Sequence, residues 1–254
     1  FLNQPRNFQG KLDMSLFYDL DAQSFTSEIS SNNTSIKNNT VVFDKGKIKF
    51  NGSAFDIDLA LLINESEIPI VINGSVPINK NDELGLRLIG NEKIVELLDF
   101  FAEDYFTFKK GEVNLRMIIK GNLNKPILNG FIVIKNSEVE FYNNIVKDIN
   151  SSIIFDFDSL EIKDLQANGE DSGDIFMRGY LPFYSENDSG KTEINMITNE
   201  FNIKTDDFNF LLDSDIDLSG SFENPILGGK ISLNNGFIDL NSKNKKNKTN
   251  NDTR

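Results

Sequence analysis

Acidic side chains supply the only polar constellations in this sequence. Asp156, Asp158 and Glu161 lie close together, as do Glu170, Asp171 and Asp174, and Asp213, Asp215 and Asp217. Carboxylates at such spacings suit two chemistries. Paired carboxylates do acid–base work in glycoside hydrolysis, and oxygen ligands gathered around a glycine hold calcium. Asn168-Gly-Glu-Asp-Ser-Gly-Asp174 comes nearest to a calcium loop, but its order departs from the EF-hand pattern, and the chain has no Trp to offer a sugar platform. In alternating strands all three clusters fall on the wet face. They read as solvated acids, and no catalytic residue, metal ligand or cofactor is expected.

Composition narrows the field further. The chain has no Cys and no His. It therefore has no thiolate nucleophile, no Cys-based zinc site, no imidazole base and no His ligand for a transition metal. Its 39 acids against 26 bases give a formal charge of −13 over 254 residues. Such a chain repels nucleic acid at long range, so no nucleic-acid partner is expected. Phe is abundant (22) beside five Tyr. Phe carries no hydrogen-bonding group and suits a dry apolar surface, although an A+T-rich genome gives the same bias.

The elements that position these residues are mostly strands. Phe55-Asp-Ile-Asp-Leu59, Val113-Asn-Leu-Arg-Met117, Glu193-Ile-Asn-Met196 and Asp215-Ile-Asp-Leu218 alternate apolar with polar. That is the period of a sheet with one apolar and one wet face. Gly, Asn and Asp interrupt the runs every eight to twelve residues or so, as in antiparallel architecture. One segment differs. Between Asn91 and Asp104, Ile94, Leu97, Leu98 and Phe101 recur at helical spacing behind an Asn cap. This predicts a short amphipathic helix at about 92–104 that covers an edge or the mouth of the sheet. Ser27 to Thr40, rich in Ser and Asn, is expected to be a long loop. Residues 241–254 contain nothing apolar and are expected to be a disordered tail or linker. No apolar run approaches the roughly 18–20 residues that cross a bilayer.

The sequence also repeats. Gly121-Asn-Leu-Asn-Lys-Pro126-Ile-Leu-Asn-Gly130 returns as Gly220-Ser-Phe-Glu-Asn-Pro225-Ile-Leu-Gly-Gly229, at a constant offset of 99 residues. The register extends outward. Met117 and Ile119 match Ile216 and Leu218. Ile132 and Ile134 match Ile231 and Leu233, and Val139 and Phe141 match Ile238 and Leu240. A strand should end at Gly121 or Gly220, where glycine permits a positive φ. Pro126 and Pro225 cannot donate to a ladder and belong in the turn or at the first position of the next strand. Gly130 and Gly229 suit a bend or a close backbone approach. A further turn is expected at Asn136-Ser137 and Asn235-Gly236. Upstream, Gly74-Ser-Val-Pro77 matches Gly179-Tyr-Leu-Pro182, each closing an apolar strand. Strands ending at Ile89 and Ile197 then lead into Asn91-Glu92 and Asn199-Glu200. The organisation expected is 1–40 as the end of a preceding repeat with a loop, 41–141 as one module, 142–240 as a second, and the tail.

The run Gly-x-Leu-x-x-Pro-x-Leu-x-Gly-x-Ile-x-Ile-x-Asn-Ser-x-Val, from Gly121 to Val139 and again from Gly220 to Ile238, resembles the translocation and assembly module (TamB) family and its AsmA-like relatives. The resemblance covers roughly residues 41–240 and includes Ala167-Asn-Gly-Glu-Asp-Ser-Gly173 running into Phe176-Met-Arg-Gly-Tyr-Leu-Pro182. It implies a mainly β fold, an elongated curled antiparallel sheet called a β-taco. The concave apolar groove of such a sheet shelters phospholipid acyl chains moving toward the outer membrane. It implies a bridge across the periplasmic space of diderm cell envelopes, anchored in the inner membrane by an N-terminal helix. It also implies work with Omp85-type outer-membrane barrels in protein assembly and secretion. On that reading this chain is an internal segment, and the barrel is met through regions outside it. The groove would be lined by Leu115, Met117, Ile119, Ile132, Ile134, Val139 and Phe141, and by Ile216, Leu218, Ile231, Leu233, Ile238 and Leu240. Periodicity alone leaves a second reading open. Two sheets closed on a dry core, as in a structural stalk or adhesion module, would show the same alternation.

Overall fold

The computed structural model describes residues 8–36, 39–64, 66–91, 94–95, 106–185, 193–205 and 207–238. Almost all of them lie in antiparallel strands. The strands are β1 (Phe8–Asp19), β2 (Ser24–Ile36), β3 (Asn39–Phe50), β4 (Ala54–Ile63), β5 (Ile70–Pro77), β6 (Gly85–Gly90) and β7 (Thr107–Gly121). They continue with β8 (Pro126–Phe141), β9 (Asn144–Phe157), β10 (Ser159–Gly169), β11 (Asp174–Pro182), β12 (Glu193–Lys204), β13 (Phe208–Gly220) and β14 (Pro225–Ile238). Each strand is hydrogen-bonded to the next in chain order. The chain packs as two compact units. One comprises Phe1–Ala102, Glu112–Ile134 and Ile153–Ser159; the other comprises Glu103–Gly111, Lys135–Ser152 and Leu160–Arg254.

In the first unit the register sorts the side chains cleanly. One row runs Leu16, Ser27, Ile48, Ile57, Gly74, Leu86, Ile119 across seven strands. Beside it lies the row Tyr18, Phe25, Phe50, Phe55, Val76, whose phenylalanines touch at centroid distances of 5.1–6.2 Å. The opposite face carries Glu28, Lys47, Asp58, Asn73 and Arg87 in one row, where opposite charges stand cross-strand. In the second unit Met177, Met196, Ile216 and Gly229 form one apolar row, and Gly179, Ile194, Leu218 and Leu227 the next.

The registers also show the two copies as equivalent structures. Arg87 pairs with Ile118 and Ile89 with Arg116; Asn195 pairs with Asp217 and Ile197 with Asp215, with the same stagger. Gly121 and Gly220 end β7 and β13 with φ of 82° and 81°, and Pro126 and Pro225 open β8 and β14. Pro77 and Pro182 are the last residues of β5 and β11. At Gly74, Gly130, Gly179 and Gly229 a Cβ would strike the carbonyl of the neighbouring strand, so a close backbone approach holds glycine at all four.

A pair of hydrogen-bonded junctions explains why these motifs travel together. After Pro77 the chain reaches the β7–β8 turn: the Leu123 N–H donates to the Lys80 carbonyl (3.1 Å), and the Leu84 N–H donates to Gly121 (2.8 Å). After Pro182 it reaches the β13–β14 turn. There Phe222, the counterpart of Leu123, donates its N–H to the Pro182 carbonyl (3.0 Å), and Glu223 donates to Phe183 (3.2 Å). In each copy the chain at or just beyond the Gly-x-Φ-Pro segment thus docks on that copy's own Gly-x-x-x-x-Pro turn.

Three expectations need correction. Ser27 to Thr40 is not a long loop, because β2 spans Ser24–Ile36 and pairs along β1, and β3 begins at Asn39. Backbone pairing tolerates polar side chains there, and Thr34 is buried with its hydroxyl donating to the Lys11 carbonyl (2.9 Å). The turns expected at Asn136-Ser137 and Asn235-Gly236 lie instead inside the continuous strands β8 and β14. Asn136 and Asn235 take φ of 46° and 43°, and the β13–β14 register slips by one residue there, which is a β-bulge. Asn tolerates the left-handed region at low cost, which fits it for this place. Likewise β12 does not end at Ile197. It continues to Lys204 through a bulge at Asn199-Glu200, held by the Glu200 N–H donating to Asp213 Oδ1 (2.7 Å). The helix expected at about 92–104 falls mostly outside the described residues. Of it, Ile94 and Val95 are described as helical and buried, and Ile94 packs over Gly90. Residues 241–254 also lie outside.

Candidate functional site

The two bulges decide which side chains share a face. Side chains alternate along a strand, so Ile231 and Leu233 on one hand and Ile238 on the other would point to opposite sides if β14 were regular. The extra residue at Asn235 reverses the alternation. Ile231 then sits opposite Ser214, Leu233 opposite Leu212 and Ile238 opposite Phe208, all on the side of Ile216 and Leu218. Asn136 has the same conformation between Ile132–Ile134 and Val139–Phe141. Leu115, Met117 and Ile119 are placed by β6: they stand opposite Gly90, Leu88 and Leu86, on the apolar face.

Burial varies along this set. Leu115 and Met117 are each only 7% exposed. Ile119, Ile132, Ile134, Val139, Ile216 and Leu218 are half-buried. Phe141, Ile231, Leu233 and Ile238 are exposed, with Ile231 at 61%. Leu240 lies outside the described residues. In the first unit the apolar face extends well beyond Leu115, Met117 and Ile119. Phe25, Ile48, Phe50, Phe55, Ile57, Leu59 and Ile72 belong to it and are half-buried as well. Their alternation was visible in the sequence, but no repeat marker tied β2–β5 to the later strands.

Polar groups on this face are few and small. Thr198 and Ser214 share a buried hydroxyl hydrogen bond of 2.9 Å, and Thr198 Oγ1 also donates to the Leu212 carbonyl (3.2 Å). That pair sits in the apolar surface of the second unit without the cost of an unmet hydrogen bond, whereas Ser27, in the apolar row of the first unit, is buried with its hydroxyl unpaired.

The aspartates of β13 lie on the opposite face. Asp215 and Asp217 point away from Ile216 and Leu218, and both accept from Asn195 Nδ2 (2.7 and 2.8 Å). Asp171 accepts from Lys204 Nζ (2.8 Å), a hydrogen bond that raises the ammonium's pKa above its ordinary value against the opposing effect of desolvation. Glu161 pairs with Lys163 (2.8 Å). Among the described residues no three acidic side chains gather as a metal site would require.

Sequence reasoning missed one residue with a large structural role. Asn144, buried at the start of β9, accepts from the Lys204 N–H (2.7 Å). Its amide donates to the carbonyls of Tyr142 (2.8 Å) and Lys204 (3.0 Å), with a longer contact to Phe141 (3.3 Å). Lys204 ends β12, two strands beyond the neighbour of β9. The β10–β11 turn stops short between them, with Glu170 donating its N–H to the Ile145 carbonyl (3.0 Å). Asn144 therefore closes the sheet over that turn. A lone Asn in an Asn-rich chain gave no signal of this.

No family model, no curated protein and no solved structure matches this chain. Among the described residues no helix is long and apolar enough to cross a membrane.

Proposed function

We propose that this chain is a non-catalytic segment of an envelope-spanning bridge of the TamB type, whose apolar face shelters phospholipid acyl chains on their way to the outer membrane. One observation carries the reading. The row from Leu16 to Ile119 crosses seven strands, roughly 29 Å at ~4.8 Å per strand, yet Ile48, Ile57, Leu86 and Ile119 in it are only half-buried. A closed dry core would bury them fully, and a contiguous apolar surface of this breadth is characteristic of a binding surface. Phe, Ile, Leu and small residues fill it, a lining suited to hydrocarbon. On this reading the sheet curls as a β-taco around the chains, the bridge stands in the periplasm, and an outer-membrane barrel is met through other parts of a longer protein.

The buried stretch at Ile63, Ile70, Leu115 and Met117 favours a second reading locally: a structural β stalk with a closed core. Photo-crosslinking separates the two. A benzophenone side chain in place of Ile57 or Ile216, on the apolar face, should capture phospholipid when the protein is isolated from a diderm bacterium. The same group in place of Asp56 or Asp215, on the opposite face, should not. Equal capture from both faces, or none from either, contradicts the acyl-chain reading.

A further inference from the structure

The polar face carries a feature that the acyl-chain reading does not use. Arg87 on β6 and Arg116 on β7 stand at diagonal positions of neighbouring strands, because Arg87 pairs with Ile118 and Arg116 with Ile89. Diagonal neighbours lie ~7–8 Å apart at their Cα atoms, so the two guanidinium groups work on one spot. Both are exposed, and neither has an acidic partner among the described residues. Together with Ile118, Asn129 and Phe131 they line a shallow depression beside Gly130. Ile118 and Phe131 are exposed within it. Two like charges side by side without a counter-charge are unfavourable, the more conspicuously in a chain of net charge −13.

The second copy presents the same surface with the charge reversed. At the places of Arg116 and Ile118 stand Asp215 and Asp217, and at the place of Arg87 stands Asn195, which binds both aspartates and presents them together. Lys230 faces Asp215 and Arg178 faces Asn195, while Asp213 and Asp174 add further acid to the same face. This patch too has exposed apolar side chains at its centre, Phe176 and Ile197. Each patch thus combines an apolar pair with charges of one dominant sign, and the two signs are opposite.

We propose that the Arg87–Arg116 surface docks a second copy of this chain through that copy's Asp215–Asp217 surface. Guanidinium groups match carboxylates in geometry as well as charge, and Ile118 and Phe131 meet Phe176 and Ile197 between them. The contact uses the polar face and leaves the apolar face free, so it stands or falls independently of the acyl-chain reading.

Sedimentation velocity of the whole chain over a range of concentrations tests it. Association should be present at low ionic strength and weaken as salt screens the charges. Arg87→Asp with Arg116→Asp should raise the dissociation constant by about tenfold or more, and so should Asp215→Arg with Asp217→Arg. An equimolar mixture of the two double variants should associate again, because each then supplies the surface the other has lost. Circular dichroism and thermal melts show whether each variant is folded. The recovery on mixing could not come from misfolded chains. A chain that stays monomeric at low salt overturns the proposal, as do folded variants that associate unchanged or a mixture that does not recover. A monomer that binds vesicles with roughly a fifth of anionic lipid through Arg87 and Arg116 overturns it too, and assigns the arginines to a membrane surface instead.

Discussion

Gly111 on β7 lies so close to Ser137 on β8 that a Cβ on the glycine would collide with the serine's backbone and side chain, and in the second copy Phe210 and Gly236 hold the same two places with the glycine on the other strand. Both pairs sit beside a bulge, where Asn136 or Asn235 has a positive φ. The crossing has room for one side chain of substance, and each copy gives that room to a different strand.

This exchange predicts a coupling. Gly236→Ser should destabilise the protein by about 1–3 kcal/mol through overpacking against the Phe210 ring and the Asn209 carbonyl, of which Phe210→Gly relieves only the first. In the double variant with Phe210→Gly the loss should be smaller than the sum of the two single losses, by about 1 kcal/mol. Urea melts of the four proteins in the cycle measure it. Strict additivity would mean that the two places do not compete for space.

Asn144 should be hard to replace. Asn144→Ala removes the acceptor of the Lys204 N–H and the donor to the Lys204 carbonyl at a buried position. A loss of about 2–3 kcal/mol is expected from groups left unsatisfied. Hydrogen exchange gives the local reading: the Lys204 amide should lose protection in the variant while amides in the middle of β12 keep theirs.

The Lys204–Asp171 contact gives a pH dependence of definite sign. Because the folded-state pKa of Lys204 is raised by its hydrogen bond to Asp171, the contact contributes stability below the unfolded lysine pKa. It loses that contribution as pH climbs through the folded value. Stability of the native chain and of Asp171→Asn should therefore differ at neutral pH and converge in strong alkali. A difference that persists unchanged in alkali would show that Asp171 acts by other means.

Much of this architecture was written plainly in the residues. Period-two alternation announced strands with one apolar face, and the constant spacing from Gly121 to Gly220 and Pro126 to Pro225 located the same turn twice. What escaped was wherever backbone pairing outweighed side-chain character. Ser27 to Thr40 looks like a loop by composition, but a ladder needs only N–H and C=O groups, and β1 supplied them. The Asn-Ser and Asn-Gly dipeptides look like turns, yet a bulge uses the same left-handed Asn without reversing the chain. The five-residue step from Leu233 to Ile238 was the available clue, because only an extra residue lets both face one side. Asn144 was illegible for another reason: its partners are 60 residues away in Lys204, and nothing local marks it.

Charge placed on the apolar face should act differently according to burial. Met117→Asp, at a position 7% exposed, should unfold the first unit or cost at least about 3–4 kcal/mol, since a buried unpaired carboxylate has no compensation. Ile231→Asp, at a position 61% exposed, should cost less than about 1 kcal/mol and instead reduce lipid capture. Thermal melts with parallel lipid analysis distinguish the two effects. Equal destabilisation at both sites would indicate a closed core.

The most direct test of the acyl-chain reading is native mass spectrometry of the chain purified from a diderm host, followed by solvent extraction and lipid analysis. The reading predicts phospholipid bound in at least near-stoichiometric amount, and its loss in a folded Ile216→Asp, Ile231→Asp variant. Lipid-free protein whose apolar face is nevertheless shielded from solvent would contradict it and leave the structural β module as the account of this chain.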